Sequence, residues 1–343
     1  MGGWSMLGGA AAIALLALGG AGGEPAAAGD ATLVHGMTIS CQTNGREWAS
    51  DGFGPEVERL AALGVNWVAI HPYGRIRRDG RVEWRPIDPE RPPEIVARPI
   101  REARSRGIAI LVTPHLAQWG SGFRSRGDIA FADPQERRRF FELYREWIVQ
   151  LAAAAREADA FAVGNELDGL ADCEAEWRDV IAAVRAVTPA RLTYAANWTH
   201  FERVPFWDAL DAIGVQGYFP LSDLEQPGEE DLRAGWRAAL ARMRAVHERT
   251  GKPVVLTELG YNCSLAAARE PWAHASAAPG DRERAAALQA SCLRIALDEL
   301  AREERWLRGA FLWKWFVGPA PGENFRLDTP ELRAVIAGAW TAR

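Results

Sequence analysis

Two glutamates stand where apolar runs of this chain stop. Val163-Gly164-Asn165-Glu166 and Leu256-Thr257-Glu258 each carry a carboxylate out of a run of Val, Leu and Ala. A pair of carboxylates facing each other across a cleft can split a glycosidic bond. One, protonated, delivers a proton to the leaving oxygen, while the other, ionised, attacks the anomeric carbon or activates water. A lone Glu at such a position more often pairs with a neighbouring Arg. Two at matching positions, one of them preceded by Asn165, favour chemistry over an ion pair.

Other polar and aromatic side chains stop apolar runs in the same way. His71 and Tyr73 follow one run and His115 ends another, and all three are polar enough to bind hydroxyls, although a rim His is equally often a hydrogen-bonded scaffold residue. Asn197 and Trp198 close a fifth run, where a donor beside an indole face suits a sugar ring. Trp119 lies in the Gly-rich loop Trp119-Gly120-Ser121-Gly122, and a loop aromatic is exposed at an energetic disadvantage unless it binds something. The basic clusters Arg75-Ile76-Arg77-Arg78 and Arg137-Arg138-Arg139 read as solvated faces.

These positions need elements that bring them to one place. Eight apolar runs alternate with amphipathic stretches, at 33–40, 66–72, 109–115, 160–166, 191–197, 212–218, 253–258 and 309–315. Near-continuous Val/Ile/Leu/Ala strands are what strands buried on both faces require. Eight βα units in order predict a (β/α)8 TIM barrel as a single domain over residues 29–343, with catalytic groups at the C-terminal strand ends. A doubly wound open sheet reads similarly, but no Gly-rich phosphate loop follows the first strand. The clearest helix is 134–156, where Phe140, Phe141, Tyr144, Trp147, Ile148 and Leu151 recur at three- and four-residue steps behind Asp133 and Pro134. Further outer helices are expected over 229–250, ending at Gly251, and over 281–304 and 329–340.

Composition narrows the partners. Acidic and basic residues nearly balance, 45 against 40, so no basic field is evident for nucleic acid. Fifteen Trp against 12 Phe and 5 Tyr suit the flat C–H faces of sugars, with core filling as the bland alternative for any one of them. Residues 1–28 read as a signal peptide: an apolar stretch from Leu7 to Leu18, then Ala26-Ala27-Ala28 at an A-x-A cleavage site. Export follows from that reading, with no membrane span after its removal. Cys41, Cys173, Cys263 and Cys292 lack metal-ligand spacing, so no metal and no cofactor is expected. In an exported chain a bridge between Cys263 and Cys292 and free buried thiols both remain open.

The wording of the strand ends resembles clan A of the glycoside hydrolases, and across nearly the whole mature chain it is similar to glycoside hydrolase family 113. The resemblance is carried by the stretch 58–70, which ends Gly64-Val65-Asn66-Trp67-Val68-Ala69-Ile70, and by Val163-Gly164-Asn165-Glu166. Thr257-Glu258-Leu259-Gly260-Tyr261 and Ala267-Ala268-Arg269-Glu270-Pro271-Trp272 complete it. It implies a retaining, endo-acting β-1,4-mannanase with Glu166 as acid/base and Glu258 as a nucleophile of low pKa. It also implies Asn165 as donor to the 2-hydroxyl, Tyr218 as hydrogen-bond partner of Glu258, and Trp313 as the pocket floor. One departure stands out. Clan members commonly hold the nucleophile with an Arg at the end of strand two, where this chain reads Ile70-His71-Pro72-Tyr73.

The partner implied is a β-linked polysaccharide or oligosaccharide, handled by a monomer. A β-glucanase, xylanase or galactanase on the same scaffold reads nearly as well, because epimer choice rests on a few loop contacts. A non-catalytic carbohydrate-binding barrel is the third reading, and the presence of both carboxylates counts against it.

Overall fold

A computed structural model describes residues 33–341. The leader read at residues 1–28 lies outside the described residues. The strands run in chain order as β1 (Val34–Ser40), β2 (Trp67–Ile70), β3 (Tyr73–Ile76), β4 (Val82–Glu83), β5 (Ala109–Val112) and β6 (His115–Ala117). They continue as β7 (Ala160–Asn165), β8 (Arg191–Asn197), β9 (Ile213–Gln216), β10 (Val254–Leu259) and β11 (Leu307–Phe316). The helices are α1 (Phe53–Ala61), α2 (Glu94–Arg104), α3 (Pro134–Ala154), α4 (Glu174–Arg185), α5 (Glu229–Thr250), α6 (Arg282–Leu300) and α7 (Pro330–Trp340).

Eight of the strands close a barrel in the order β1-β11-β10-β9-β8-β7-β5-β2, every pair parallel. This is the expected (β/α)8 barrel, and each apolar run supplies one strand. Closure leaves no edge to protect and explains why runs such as Phe161-Ala162-Val163 need not alternate. β7 and β10 stand three places apart in the ring.

The helices lock onto the barrel through single polar tips on aromatic rings. Asp133 caps α3 by accepting from the Gln135 N–H at 2.8 Å, and Tyr144 from the same helix donates to the Val163 carbonyl of β7 at 2.9 Å. Trp236 of α5 donates to the Tyr261 hydroxyl beyond β10 at 3.0 Å. α5 stops at Gly251, whose φ of +69° is left-handed and whose N–H bonds the His247 carbonyl.

Two expectations need correction, and one alternative left open is resolved. The fifth βα unit has no α-helix: two short 3-10 turns, Phe201–Arg203 and Trp207–Ala209, flank Pro205 in a connection too short for a helix of several turns. Phe206 covers the barrel there instead, stacking on Trp177 at 5.5 Å and meeting Tyr194 edge-on. The third run does not continue to His115. β5 ends at Val112, and His115 opens β6 in a separate sheet of order β4-β3-β6, where Tyr73 pairs with His115. Finally, all four cysteines are free, Cys263 and Cys292 included. Burial inside α6 pushes the Cys292 thiol up to about 12.

Gly164 is a packing requirement of β7. A Cβ there would lie 2.7 Å from the rings of both Trp177 and Tyr194. Gly164→Ala is expected to lower the unfolding free energy by about 1–3 kcal/mol through overpacking. Urea denaturation followed by Trp fluorescence checks this, and an unchanged midpoint would show that the rings step aside freely.

Candidate active site

Glu166 sits one residue beyond β7 with φ of +51°, a left-handed conformation that costs a non-glycine residue on the order of 1–3 kcal/mol. The neighbouring strand holds it there: the Glu166 N–H bonds the Ala195 carbonyl at 2.9 Å, and the Tyr194 hydroxyl accepts from the Leu167 N–H at 3.0 Å. The turn swings the carboxylate off the strand axis and over the mouth of the barrel.

Glu258 lies within β10 and is 5% exposed. Tyr218 donates to its Oε2 at 2.7 Å, and His115 Nε2 lies 3.5 Å from its Oε1. Burial is the largest influence and pushes this carboxyl above the ordinary glutamate range. The Tyr218 hydrogen bond, the Arg126 charge, Gln216 and the Lys314 charge pull it back down. The sequence reading expects a low value for this group; the structure corrects that, because the barrel desolvates Glu258 more than any strand pattern reveals. His115 is itself held neutral, well below the usual histidine range, by burial and by the Arg126 and Lys314 charges. Its approach to Glu258 is therefore a contact between a neutral ring and a carboxylate, and not an ion pair.

Around this pair the polar groups form one connected layer. Asn165 accepts from Gln216 Nε2 at 3.4 Å, and Gln216 accepts from the Thr257 hydroxyl at 3.0 Å. That arrangement fixes the amide of Asn165 with its Nδ2 buried and unpartnered. His71 Nε2 meets the Ser40 hydroxyl at 3.1 Å while its Nδ1 is buried without a partner. The His71 and His115 rings stack at 4.7 Å, Trp313 tilts against His71 at 5.3 Å, and Tyr73 meets both histidines edge-on. Burial keeps the Tyr73 phenol protonated, with its pKa pushed up to about 12. A buried donor or acceptor left unpaired costs roughly 1–3 kcal/mol, so several together mark a place built for a hydroxyl-rich ligand.

The expected residues thus fall into groups. Glu258, Asn165, Tyr218, His71, His115, Tyr73 and Trp313 are joined by the contacts above, and Glu166 joins them through Arg126, which reaches both Glu166 and His115. Trp119 extends the group outward: it is 61% exposed and its ring centre lies 5.6 Å from that of Tyr73. Asn197 and Trp198 stand outside the connected layer. Asn197 Oδ1 accepts from Thr199 within its own turn, and Trp198 stacks at 5.4 Å on Trp272, which is 43% exposed.

Sequence reasoning missed four members. Gln216 ends β9 inside the barrel, where a polar residue in an apolar run was the available signal. Lys314, one of two lysines in the chain, sits between Trp313 and Trp315 with its Nζ 5.1 Å from the Trp313 ring centre. A Lys in so apolar a run could have been found. Trp272 closes the family-like stretch Ala267–Trp272, where nothing in the sequence sets it apart as a site residue. Arg126 carried no signal, being one loop arginine among many; its Nη2 donates to Glu166 Oε2 at 2.5 Å. Among the described residues no three His, Cys, Asp or Glu side chains converge as metal ligands.

The model of glycoside hydrolase family 113 matches residues 37–324. Among solved structures, the chain is similar to a GH113 β-mannanase from Alicyclobacillus acidocaldarius in complex with ManMIm. That likeness has 24% identity and a TM-score of 0.77, over 91% of this chain and 98% of that one. A complex of another GH113 β-1,4-mannanase matches at 22% identity and a TM-score of 0.76, over 91% of this chain and 100% of its own. A family 5 mannosidase from Rhizomucor miehei follows at 11% identity and a TM-score of 0.63, covering 92% and 94%. No match is found among curated proteins. The structural likenesses establish the barrel and the family match spans most of the chain, with a paired-carboxylate mouth inside it: the chain belongs to glycoside hydrolase family 113 and is a glycoside hydrolase.

Proposed function

We propose that the chain is a retaining, endo-acting β-1,4-mannanase in which Glu258 is the nucleophile and Glu166 the acid/base. The observation that carries the assignment of roles is the Tyr218 hydrogen bond to Glu258 at 2.7 Å in a site where Asn165 Nδ2 stays buried and unpartnered. The first is a device for holding an ionised carboxylate, the second a donor reserved for a ligand.

In the first step a Glu258 carboxylate oxygen bonds to C1 of the sugar while the C1–O bond to the departing chain breaks and Glu166 gives that oxygen its proton. In the second, Glu166 takes a proton from water, the water oxygen bonds to C1, and Glu258 leaves as a carboxylate. Asn165 donates to the 2-hydroxyl, a contact that strengthens as positive charge develops at the ring. Mannose and glucose differ in the orientation of that hydroxyl, so the groups that choose between them lie within its reach; His71 and Tyr73 are the further candidates. Trp313 floors the pocket, and Trp119 beside Tyr73 and the Trp198–Trp272 stack offer indole faces for further sugars. The solved family 113 neighbours are described as β-mannanases, which favours mannan over other β-glycans. We further infer export as a monomer after removal of residues 1–28. Among the described residues no helix is long and apolar enough to cross a membrane.

Incubation with mannan, β-glucan, xylan and galactan, with sizing of the products, tests the substrate. Short oligosaccharides are expected from mannan, with little from the others, since a mismatch at a hydrogen-bonded hydroxyl is worth several kcal/mol. Equal or better release from a β-glucan or xylan would overturn the substrate while leaving the catalytic pair in place.

Tyr218→Phe deletes a hydrogen bond to a charged group, worth about 1.5–3 kcal/mol, so kcat/KM should fall roughly ten- to hundredfold. Because Tyr218 lowers the pKa of Glu258, its loss raises that pKa further. The acid limb of the kcat/KM profile should therefore move to higher pH. An unmoved limb at undiminished rate would make Tyr218 scaffold only.

A further inference from the structure

The nucleophile's Oε2 is held by Tyr218, but nothing at the end of β2 supplies the arginine that the clan pattern leads one to expect. Glu258 Oε1 and His115 Nε2 are both buried, both without another partner, and face each other at 3.5 Å. That is long for a hydrogen bond, as contacts in unliganded active sites often are. The other ring nitrogen, His115 Nδ1, lies 3.4 Å from Arg126 Nη1, and Arg126 Nη2 donates to Glu166 Oε2 at 2.5 Å. One arginine thus sits between the two glutamates, touching one directly and the other through a histidine.

The chemistry of the link is constrained. A guanidinium has donors only, so Nδ1 of a neutral imidazole beside it must present its lone pair and the ring proton must sit on Nε2. His115 is neutral here because it is buried beside the Arg126 and Lys314 charges. Its Nε2–H then points at Glu258 Oε1. The loop carrying Arg126 is placed with little freedom. The 3-10 turn Arg126–Asp128 is tied by the Ser125 N–H to Asp128 Oδ2 at 2.9 Å, and it packs against the turn Asp168–Leu170 that follows Glu166. A Cβ on Gly127 would lie 3.0 Å from Asp168 Oδ2, and one on Gly169 would lie 2.6 Å from the Ile129 carbonyl.

We propose that Arg126 is a positioning residue that couples the two glutamates, holding Glu166 directly and supplying Glu258 Oε1 with a hydrogen bond by fixing His115 as the Nε2–H tautomer. The roles of the two glutamates rest on the function proposed above; the tautomer does not. In that reaction the pair carries one negative charge throughout. It sits on Glu258 before the glycosyl bond forms and on Glu166 after the proton has left. A fixed cation between them serves both states without moving, which is the preorganisation that lowers a barrier without reorganisation. The position lost at the end of β2 is thereby filled from the loop after β6.

Nitrogen-15 NMR of the histidine rings tests this, with the His115 signals assigned by their loss in His115→Gln. In the unliganded wild-type protein Nδ1 is expected to read as the unprotonated nitrogen and Nε2 as the protonated one. In Arg126→Met the ring should move to the Nδ1–H tautomer or a mixture of the two. Kinetics supply the second arm. Arg126→Met and His115→Ala should each lose on the order of ten- to hundredfold in kcat/KM, while His115→Gln, whose amide can still donate to Glu258, should recover part of the loss. An Nδ1–H tautomer in the wild type overturns the proposal whatever the substrate proves to be. So does an unchanged tautomer in folded Arg126→Met. A protein inactive on mannan but with the expected tautomer would instead count against the substrate and leave this inference standing.

Discussion

In the role proposed for it, Glu258 must be both buried and charged. At 5% exposure its carboxylate has lost nearly all of its water, and removing an ion from water costs several kcal/mol unless neighbours replace the lost interactions. The rest of the mouth answers that requirement. Tyr218 donates to one oxygen, His115 faces the other, and Arg126 from the loop after β6 and Lys314 from β11 place positive charge within reach. Burial first, and then the same cations, keep His71 and His115 neutral, His115 even beside the carboxylate: charging either ring would add to a positive field already present.

The barrel makes such a site affordable by separating tasks along each strand. Below the rim, Phe161, Val163, Leu256 and Leu312 are fully packed and carry stability. At the rim β7 and β10 release Asn165 and Glu258, the connection after β7 releases Glu166, and the connection after β9 releases Tyr218. The left-handed turn at Glu166 is a local cost borne by the Ala195 and Tyr194 contacts of the neighbouring strand, so Glu166 is held by packing that itself depends on Gly164 having no side chain. A change in the barrel wall can therefore reach the chemistry without touching a polar group.

The barrel was legible because eight apolar runs bounded by turn residues survive as a pattern in one dimension. The two glutamates were legible for the same reason, since each interrupts such a run at its C-terminal end, whereas Tyr218 was reached through the family resemblance. What was hidden depends on contacts distant in sequence. The side sheet pairs Tyr73 with His115 across two connections, and nothing local in either segment marks the pairing. The missing fifth helix is a matter of connection length and of aromatic rings filling the gap from α4 and β8. Arg126 looks in sequence like any solvated loop arginine, and only the packing of its turn against Asp168–Leu170 aims it at Glu166. The elevated pKa of Glu258 was missed because desolvation is a property of the closed barrel and not of one strand.

Which glutamate bonds to the sugar decides the roles of the pair. Azide with an activated aryl β-mannoside reads this directly in the two alanine variants, because the anomer of the azide product records which face was opened. Glu258→Ala is predicted to give the α-mannosyl azide, with the anion entering where the nucleophile stood, and Glu166→Ala the β-mannosyl azide by attack on the glycosyl-enzyme. The β-azide from Glu258→Ala, or the α-azide from Glu166→Ala, would contradict the assignment of roles.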